Sequence, residues 1–204
     1  MYKQKLNKKV VTLRSLYLLL FLILIPMYLN CDYGTVDLRR ELNLNFEVSR
    51  PNNTPEYWSS YNRSYDIQLD DKVFYKGKKS LRLKYLNDTI DGLSRIYIPF
   101  YVLTGKELKV TGFIKTENVK NGYAGFRINI YDAKVKNKEL NMKENGVTGT
   151  TDWTEYSLET LVSDSARSVS IGVELTGEGS AWFDGLQLYI DGDKVKEEEL
   201  PEEE

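Results

Sequence analysis

The side chains in this chain that are best suited to chemistry are aromatic and hydrogen-bonding groups at two-residue spacing. Five of them alternate with rows of isoleucine and phenylalanine, namely Tyr97, Tyr101, Arg127, Asn129 and Tyr131. Arg95 and Tyr123 lie on the same sides of their strands. Aromatic rings stack on apolar ligand faces, while amide and guanidinium groups bind hydroxyl groups. The spacing therefore predicts one exposed face that binds a saccharide. The alternative is ordinary sheet tyrosine, because tyrosine favours strands and the chain has 15 of them.

Catalytic groups are scarce. The chain has no histidine, which excludes Ser-His-Asp and Cys-His catalysis and histidine metal sites. Ser80 follows Lys79 directly, but the pair lies in a turn motif with no supporting constellation. A pair of carboxylates for glycoside hydrolysis cannot be identified from spacing alone. We therefore expect a protein that is not an enzyme.

Alternation of apolar and polar residues indicates the elements that must position these side chains. It runs through Leu42–Val48, Leu81–Tyr85, Ile96–Val102, Phe126–Ile130 and Val169–Leu175. This period is typical of half-buried strands, and glycine-containing turns separate the stretches. No helical period is convincing after residue 30. The pattern predicts an all-β fold, an antiparallel β-sandwich or barrel, with about nine strands between Leu42 and Ile190.

Three segments are expected between or after the strands. Residues 52–62 are polar and aromatic and are expected to wrap a sheet edge. Residues 133–149 contain a charged run and are interpreted as a long loop. Residues 193–204 form an acidic tail that we expect to be disordered.

The N-terminal segment differs from the rest of the chain. Five basic residues precede an uncharged, mostly apolar run at 16–29, which is too short for a membrane-spanning helix and contains Pro26. This pattern is typical of a secretory signal peptide. We expect a signal peptide at 1–30, a tether at 31–40, a β-sandwich domain at 41–192 and the acidic tail.

The only cysteine, Cys31, follows this predicted signal peptide directly. The arrangement resembles the lipobox of bacterial lipoproteins, with Asn30 where Gly, Ala or Ser is usual. The resemblance implies lipidation of Cys31, a membrane anchor and a place in the bacterial cell envelope. The alternative is an ordinary signal peptide or an uncleaved anchor with an incidental cysteine.

Charge limits the class of partner. The chain has 28 Lys and Arg and 30 Asp and Glu, and six of the acids are the glutamates of 197–204. No basic face stands out, so nucleic acid is not an expected partner. With one cysteine there is no intramolecular disulfide, so burial or a metal must stabilise the fold.

Four motifs occur in an order that resembles a known family of modules. They are Leu44-Asn45-Phe46-Glu47, Gly77-Lys78-Lys79-Ser80-Leu81, residues 148–156 around Trp153, and residues 177–185 around Trp182. Together they resemble the jelly-roll carbohydrate-binding module of the galactose-binding-like superfamily, over roughly 41–192. The version that precedes the catalytic domain of some secreted S41 peptidases is the most similar. Only the acidic tail follows this region here, so we expect no such catalytic domain.

Asp184 is the second candidate for chemistry. Alternation places it on the same face as Trp182, Leu186 and Leu188, and a buried carboxylate needs a partner. The resemblance implies a structural Ca²⁺ held by Asp184, Glu47 and backbone carbonyls of Lys78 or Lys79, which would be a plausible partial ligand set. The alternative is that Asp184 binds backbone amides or pairs with a lysine.

Two functional classes follow from these observations. The first is a membrane-anchored, non-catalytic lipoprotein whose sandwich binds a glycan. The second is an interaction or scaffold domain that has lost sugar binding and contacts an envelope protein. A variant of the first is an accessory module of a hydrolase encoded separately.

Overall fold

The computed structural model describes residues 42–61, 64–87 and 92–195. The predicted signal peptide, Cys31, the tether and residues 196–204 of the acidic tail lie outside the described residues. Everything described belongs to one compact unit, Leu38–Glu204. Among the described residues no helix is long and apolar enough to span a membrane.

Ten strands and one 3-10 turn follow one another along the described residues. In order they are β1 (Ser59–Tyr61), β2 (Tyr65–Asp70), β3 (Ser80–Tyr85), β4 (Gly92–Ile98), the 3-10 turn (Phe100–Val102), β5 (Glu107–Asp132), β6 (Lys138–Asn141), β7 (Val147–Leu161), β8 (Ala166–Leu175), β9 (Glu178–Ile190) and β10 (Asp193–Lys194). All strand pairs are antiparallel, which confirms the predicted all-β class.

The long strand β5 belongs to two sheets. Its first half pairs with β7 and β9, and β9 continues through β3 to β2; we call this the first sheet. Its second half pairs with β6 and β8, and β8 continues through β4 to β1; we call this the second sheet. Between the halves the register shifts, and Asn118 and Asn121 adopt left-handed φ angles of 54° and 55°. The predicted turn at Asn121 is the place where β5 changes sheets.

The core lies between the two sheets. The alternating apolar rows predicted for β3, β5 and β8 are buried, with Leu83, Phe126, Ile128 and Val173 at 0% exposure. Full burial of each such side chain stabilises the fold by about 1.5–3 kcal/mol relative to exposure. The opposite rows of these strands consequently point away from the core.

The predicted first strand, Leu42–Val48, is wrong. The segment is irregular, since Asn43 and Phe46 have left-handed φ angles of 45° and 59°. The Asn43 side chain closes this turn by binding both the N–H and the C=O of Val48. Leu42, Leu44 and Phe46 are nevertheless buried. Their alternation with polar residues therefore indicated burial correctly, although the backbone is not extended.

Three other boundaries differ from expectation. The predicted strand Ile96–Val102 ends at Ile98, because Pro99 has no N–H for a sheet and a 3-10 turn follows. The predicted loop at 133–149 contains β6 and the start of β7. The predicted wrap at 52–62 contains β1, which pairs with β4.

Candidate functional site

The outer face of the second sheet brings most of the predicted binding residues together. In one row Arg95 of β4, Gly172 of β8 and Arg127 of β5 are register partners. In the next row the partners are Tyr97, Ser170 and Asn129. Side chains on one face of adjacent strands stand side by side, so these rows form one surface.

Small residues on β8 make this surface a trough. Gly172, Ser170 and Ser168 follow at two-residue spacing on the central strand, between the larger side chains of β4 and β5. We call this feature the β8 trough, with Gly172, Ser170 and Ser168 as its floor. Ser170 is almost fully buried beneath its neighbours. A tyrosine rises on each side, Tyr97 at 53% and Tyr131 at 57% exposure.

The five predicted residues do not all share this face. Tyr97, Arg127, Asn129 and Tyr131 do, and Arg127 and Asn129 are half-buried. Tyr101 lies in the 3-10 turn after β4, so its predicted place in the strand's alternation is wrong. Its ring is still exposed, and the turn leaves β4 at the end of the face nearest Tyr131.

Arg127 is fixed by a buried charge network. Its Nη1 donates to Glu174 Oε2 at 2.8 Å, and its Nη2 forms an ion pair with Glu139 Oε1 at 2.5 Å. Glu174 has no exposed surface, and its Oε1 accepts the hydroxyl of Tyr123 at 2.6 Å. Burial disfavours the charged guanidinium, but Glu139 and Glu174 outweigh it and raise the pKa of Arg127. The network therefore fixes Arg127 on the β5 side of the trough, with two carboxylates around one guanidinium.

Arg95, on the β4 side, has different surroundings. Its guanidinium carbon lies 5.2 Å from the ring centres of both Tyr61 and Tyr97. Its Nη2 donates to the Tyr61 hydroxyl at 2.7 Å. Two cation–π contacts and one neutral acceptor therefore orient the side chain.

Sequence reasoning missed Tyr61, Glu139 and Glu174 as parts of this face. Tyr61 belongs to a three-residue strand, too short to show a period. Glu139 fell in the segment interpreted as a loop. Glu174 lies on the outward row of β8, opposite Val169, Ile171 and Val173. The same alternation that was applied to β4 and β5 would have placed it on this face.

Asp184 does not point between the sheets, contrary to the prediction. The register of β9 against β5 shifts at Gly185, whose φ is +58°, and this bulge breaks the alternation. Trp182 and Asp184 lie on the outer face of the first sheet, while Leu186 and Leu188 lie in the core. The loop between β2 and β3 covers Asp184 and buries it fully.

Both carboxylates of the predicted calcium site bind backbone N–H groups of that loop. Asp184 accepts from Tyr75 at 2.7 Å and Lys76 at 2.9 Å, and also from its neighbour Gly185. Glu47 Oε1 accepts from the backbone N–H groups of Lys78 at 2.9 Å and Lys79 at 3.3 Å. These contacts correspond to the alternative interpretation, in which Asp184 binds backbone amides.

This donor set does not fit a calcium ion as it stands. Calcium needs six to eight oxygen ligands, whereas N–H groups face these carboxylates. Among the residues that the structure describes, no three His, Cys, Asp or Glu side chains group together around a possible metal position. Burial and the charge of Glu47 raise the pKa of Asp184 to about 6, against the lowering effect of its three N–H bonds. The calcium site therefore stays a prediction of the sequence resemblance, which the arrangement of these N–H groups does not favour.

Comparison with known proteins gives one sequence relative of note. No family model matches the chain. It is 33% identical over 126 residues to the uncharacterized HTH-type transcriptional regulator YbfP of Bacillus subtilis (strain 168). The match covers 59% of this chain and 42% of that protein. The matched region thus spans less than half the length of the regulator.

Several carbohydrate-binding modules are among the solved structures similar in fold. A xylan-binding domain of family 22 superposes with a TM-score of 0.56 at 12% identity, covering 72% of this chain and 92% of that one. The CBM22-1 xylan-binding domain of Paenibacillus barcinonensis Xyn10C gives 0.52 at 14% identity, covering 72% and 90%. A family 16 module gives 0.51 at 14% identity, covering 68% and 96%. The fold is therefore an antiparallel jelly-roll β-sandwich.

Proposed function

We propose that this protein is a non-catalytic glycan-binding module that binds its ligand along the β8 trough. The observation that supports it best is the trough itself. Exposed tyrosines stand on both sides of a floor of glycine and serine, with an amide and two guanidinium groups beside it. Binding sites for small molecules commonly combine aromatic walls with a few polar groups that fix orientation.

The chemistry of saccharides matches this arrangement. A pyranose ring has an apolar C–H face that stacks on tyrosine and a rim of hydroxyl groups that bind amides and serines. Tyr97 and Tyr131 supply the rings, while Asn129 and Ser168 supply hydrogen-bonding groups between them. The similarity in fold to xylan-binding and other carbohydrate-binding modules agrees with this proposal.

A glycan array with the folded domain tests it. We expect the wild type to bind at least one polysaccharide, and Tyr97→Ala and Tyr131→Ala to lose that binding. Tyr75→Ala is the matched control, because it removes a tyrosine ring of 46% exposure that stacks on Phe113 of the first sheet, away from the trough. No glycan binding by the wild type, or equal loss in the Tyr75 variant, would overturn the assignment.

We further propose that Cys31 anchors the module to a membrane of the bacterial cell envelope. The basic segment, the short apolar run and the cysteine that follows support this proposal. Two acyl chains contribute about 0.8 kcal/mol per buried CH₂, enough for stable anchoring. The trough would then hold a glycan at that surface.

A second candidate is an interaction domain that binds another protein. The similarity to part of an HTH-type transcriptional regulator supports it, because a matching region then occurs in a protein that is described as a regulator. Co-purification after detergent extraction distinguishes the two candidates. A stoichiometric protein partner, together with a negative glycan array, would favour the interaction domain.

A further inference from the structure

Arg95 lacks the carboxylate partner that Arg82 and Arg127 have. Arg82 pairs with an aspartate at 2.6 Å. Arg127 pairs with Glu139 at 2.5 Å and with Glu174 at 2.8 Å. In the part of the chain that the structure describes, no acidic side chain forms an ion pair with Arg95. No direct ion pair therefore neutralises its positive charge in this part of the protein.

The same guanidinium is oriented at the rim of the trough. Tyr61 and Tyr97 hold it between their rings, and both rings are 53% exposed. Of its five N–H groups only one, at Nη2, has an acceptor among the described residues, the Tyr61 hydroxyl. The Nη1 N–H groups have no acceptor in the described part of the chain, so they can bind a ligand without a rearrangement of the side chain.

We propose that the glycan bound in the β8 trough carries carboxylate groups, as uronic acid residues do, and that Arg95 binds the carboxylate. This inference rests on the proposed function. A planar guanidinium matches the two oxygens of a carboxylate, and such charged hydrogen bonds are stronger than neutral ones. Tyr97, beside Arg95 on β4, then stacks on the ring of the same sugar.

The charges across the trough favour a singly charged group at Arg95. On the β5 side Glu139 and Glu174 hold two negative charges against the one positive charge of Arg127. An anion is therefore attracted to the β4 wall and repelled from the β5 wall. A sugar with one carboxylate on one edge and hydroxyl groups on the other suits this polarity better than a doubly charged phosphate.

Paired ligands test the inference. Binding of the folded domain is measured on pectate, alginate and glucuronoxylan, each beside its carboxyl-reduced form, in which the uronate has become a neutral sugar. We expect the wild type to bind at least one acidic form about tenfold or more tightly than its reduced form, as loss of a charged hydrogen bond implies. The preference should weaken with salt.

Matched variants assign that preference to Arg95. Arg95→Gln should bind both forms equally, with the affinity of the wild type for the reduced form. Arg50→Gln removes the same charge from a loop that contacts β2 of the first sheet, and it should keep the preference. Equal binding of acidic and reduced forms by the wild type overturns the inference and leaves the proposed function intact. No binding to any acidic or neutral glycan overturns both.

Discussion

Arg95 and Arg127 lie in one row on opposite sides of Gly172, each as its register partner on a neighbouring strand. Adjacent strands are about 4.8 Å apart, so the two α-carbons are about 10 Å apart with no side chain between them. A Cβ at position 172 would lie 3.0 Å from the carbonyl oxygen of Ser94 and 3.3 Å from Arg95 Cβ. The absence of a side chain at position 172 therefore avoids a clash with β4 and with Arg95.

The first prediction concerns the paired arginine. Arg127→Met should lower the free energy of unfolding by about 3–5 kcal/mol, because it removes the ion pair of the fully buried Glu174. Glu139→Gln should cost less than about 1 kcal/mol, because Glu139 is half exposed to solvent. Urea unfolding of both variants measures the difference. Similar costs for the two substitutions would contradict the structural role of Glu174.

The second prediction separates the two faces of the second sheet. Tyr97→Ala and Tyr131→Ala should change the free energy of unfolding by no more than about 0.5 kcal/mol, since both rings are exposed. Ile98→Ala and Ile128→Ala should cost about 2–5 kcal/mol, because they leave cavities in the core. Chemical denaturation tests this. If the tyrosine variants unfold and the isoleucine variants stay stable, the assignment of inward-facing and outward-facing side chains is reversed.

The third prediction concerns the pH dependence due to Asp184. Its native pKa of about 6 lies above the ordinary value of 3.8, so the native state binds the proton more tightly than the unfolded chain. This stabilising contribution is present below pH 3.8 and is lost as the pH rises through 6.

Comparison with Asp184→Asn isolates the contribution of Asp184 to the pH dependence of the free energy of unfolding. Relative to that variant, the free energy of unfolding of the wild type should fall by roughly 2–3 kcal/mol between pH 4 and pH 7. Melting curves across this range measure it. A rise of wild-type stability over the same range, relative to the variant, would mean that the loop N–H groups outweigh burial.

The fourth prediction concerns calcium. A bound ion would raise the melting temperature by mass action, since it binds only the native state. Because N–H groups already face Asp184 and Glu47, we expect equal melting temperatures in EDTA and in millimolar CaCl₂. A shift that Asp184→Ala abolishes would instead establish the calcium site implied by the sequence resemblance.

The fifth prediction concerns the anchor. Intact-mass analysis of the membrane fraction should find Cys31 diacylated at the mature N-terminus. Cys31→Ser should release the protein from membranes, because lipid chains supply the membrane affinity. A cleaved Cys31→Ser protein that still partitions with membranes would contradict lipidation as the anchor.

Much of the fold could be predicted from the sequence because burial imposes a period of two on most strands. Phe126–Ile130 and Val169–Leu175 alternate as predicted and occupy β5 and β8. The prediction failed where burial occurred without extended backbone, as at Leu42–Val48. It failed again at Gly185, where one bulged residue reversed the alternation of all that follows in β9.

The candidate site was predictable only as far as single strands allow. Alternation placed Tyr97, Asn129 and Tyr131 on outward rows, and the structure puts them on one face. Alternation could not predict the partners of Arg127, because the spacing of residues within one strand does not determine its register against strands that are distant in sequence. Pro99 lies directly after β4. Because proline ends a strand that needs its N–H, the sequence itself indicated that Tyr101 lies outside β4.

The order of the strands in the first sheet has a consequence for how the chain folds. Its β3 pairs with β9, so that Leu83 meets Ala181, and no nearer partner substitutes for β9 on that edge of β3. Pairing of such distant segments requires closure of a long loop before any contact stabilises it, and chains of this kind fold in milliseconds to seconds. Until the last long strand arrives, β2 and β3 form an isolated hairpin, which is at best marginally stable in water. Refolding should therefore be slow, and truncation before β9 should leave a hairpin prone to aggregate.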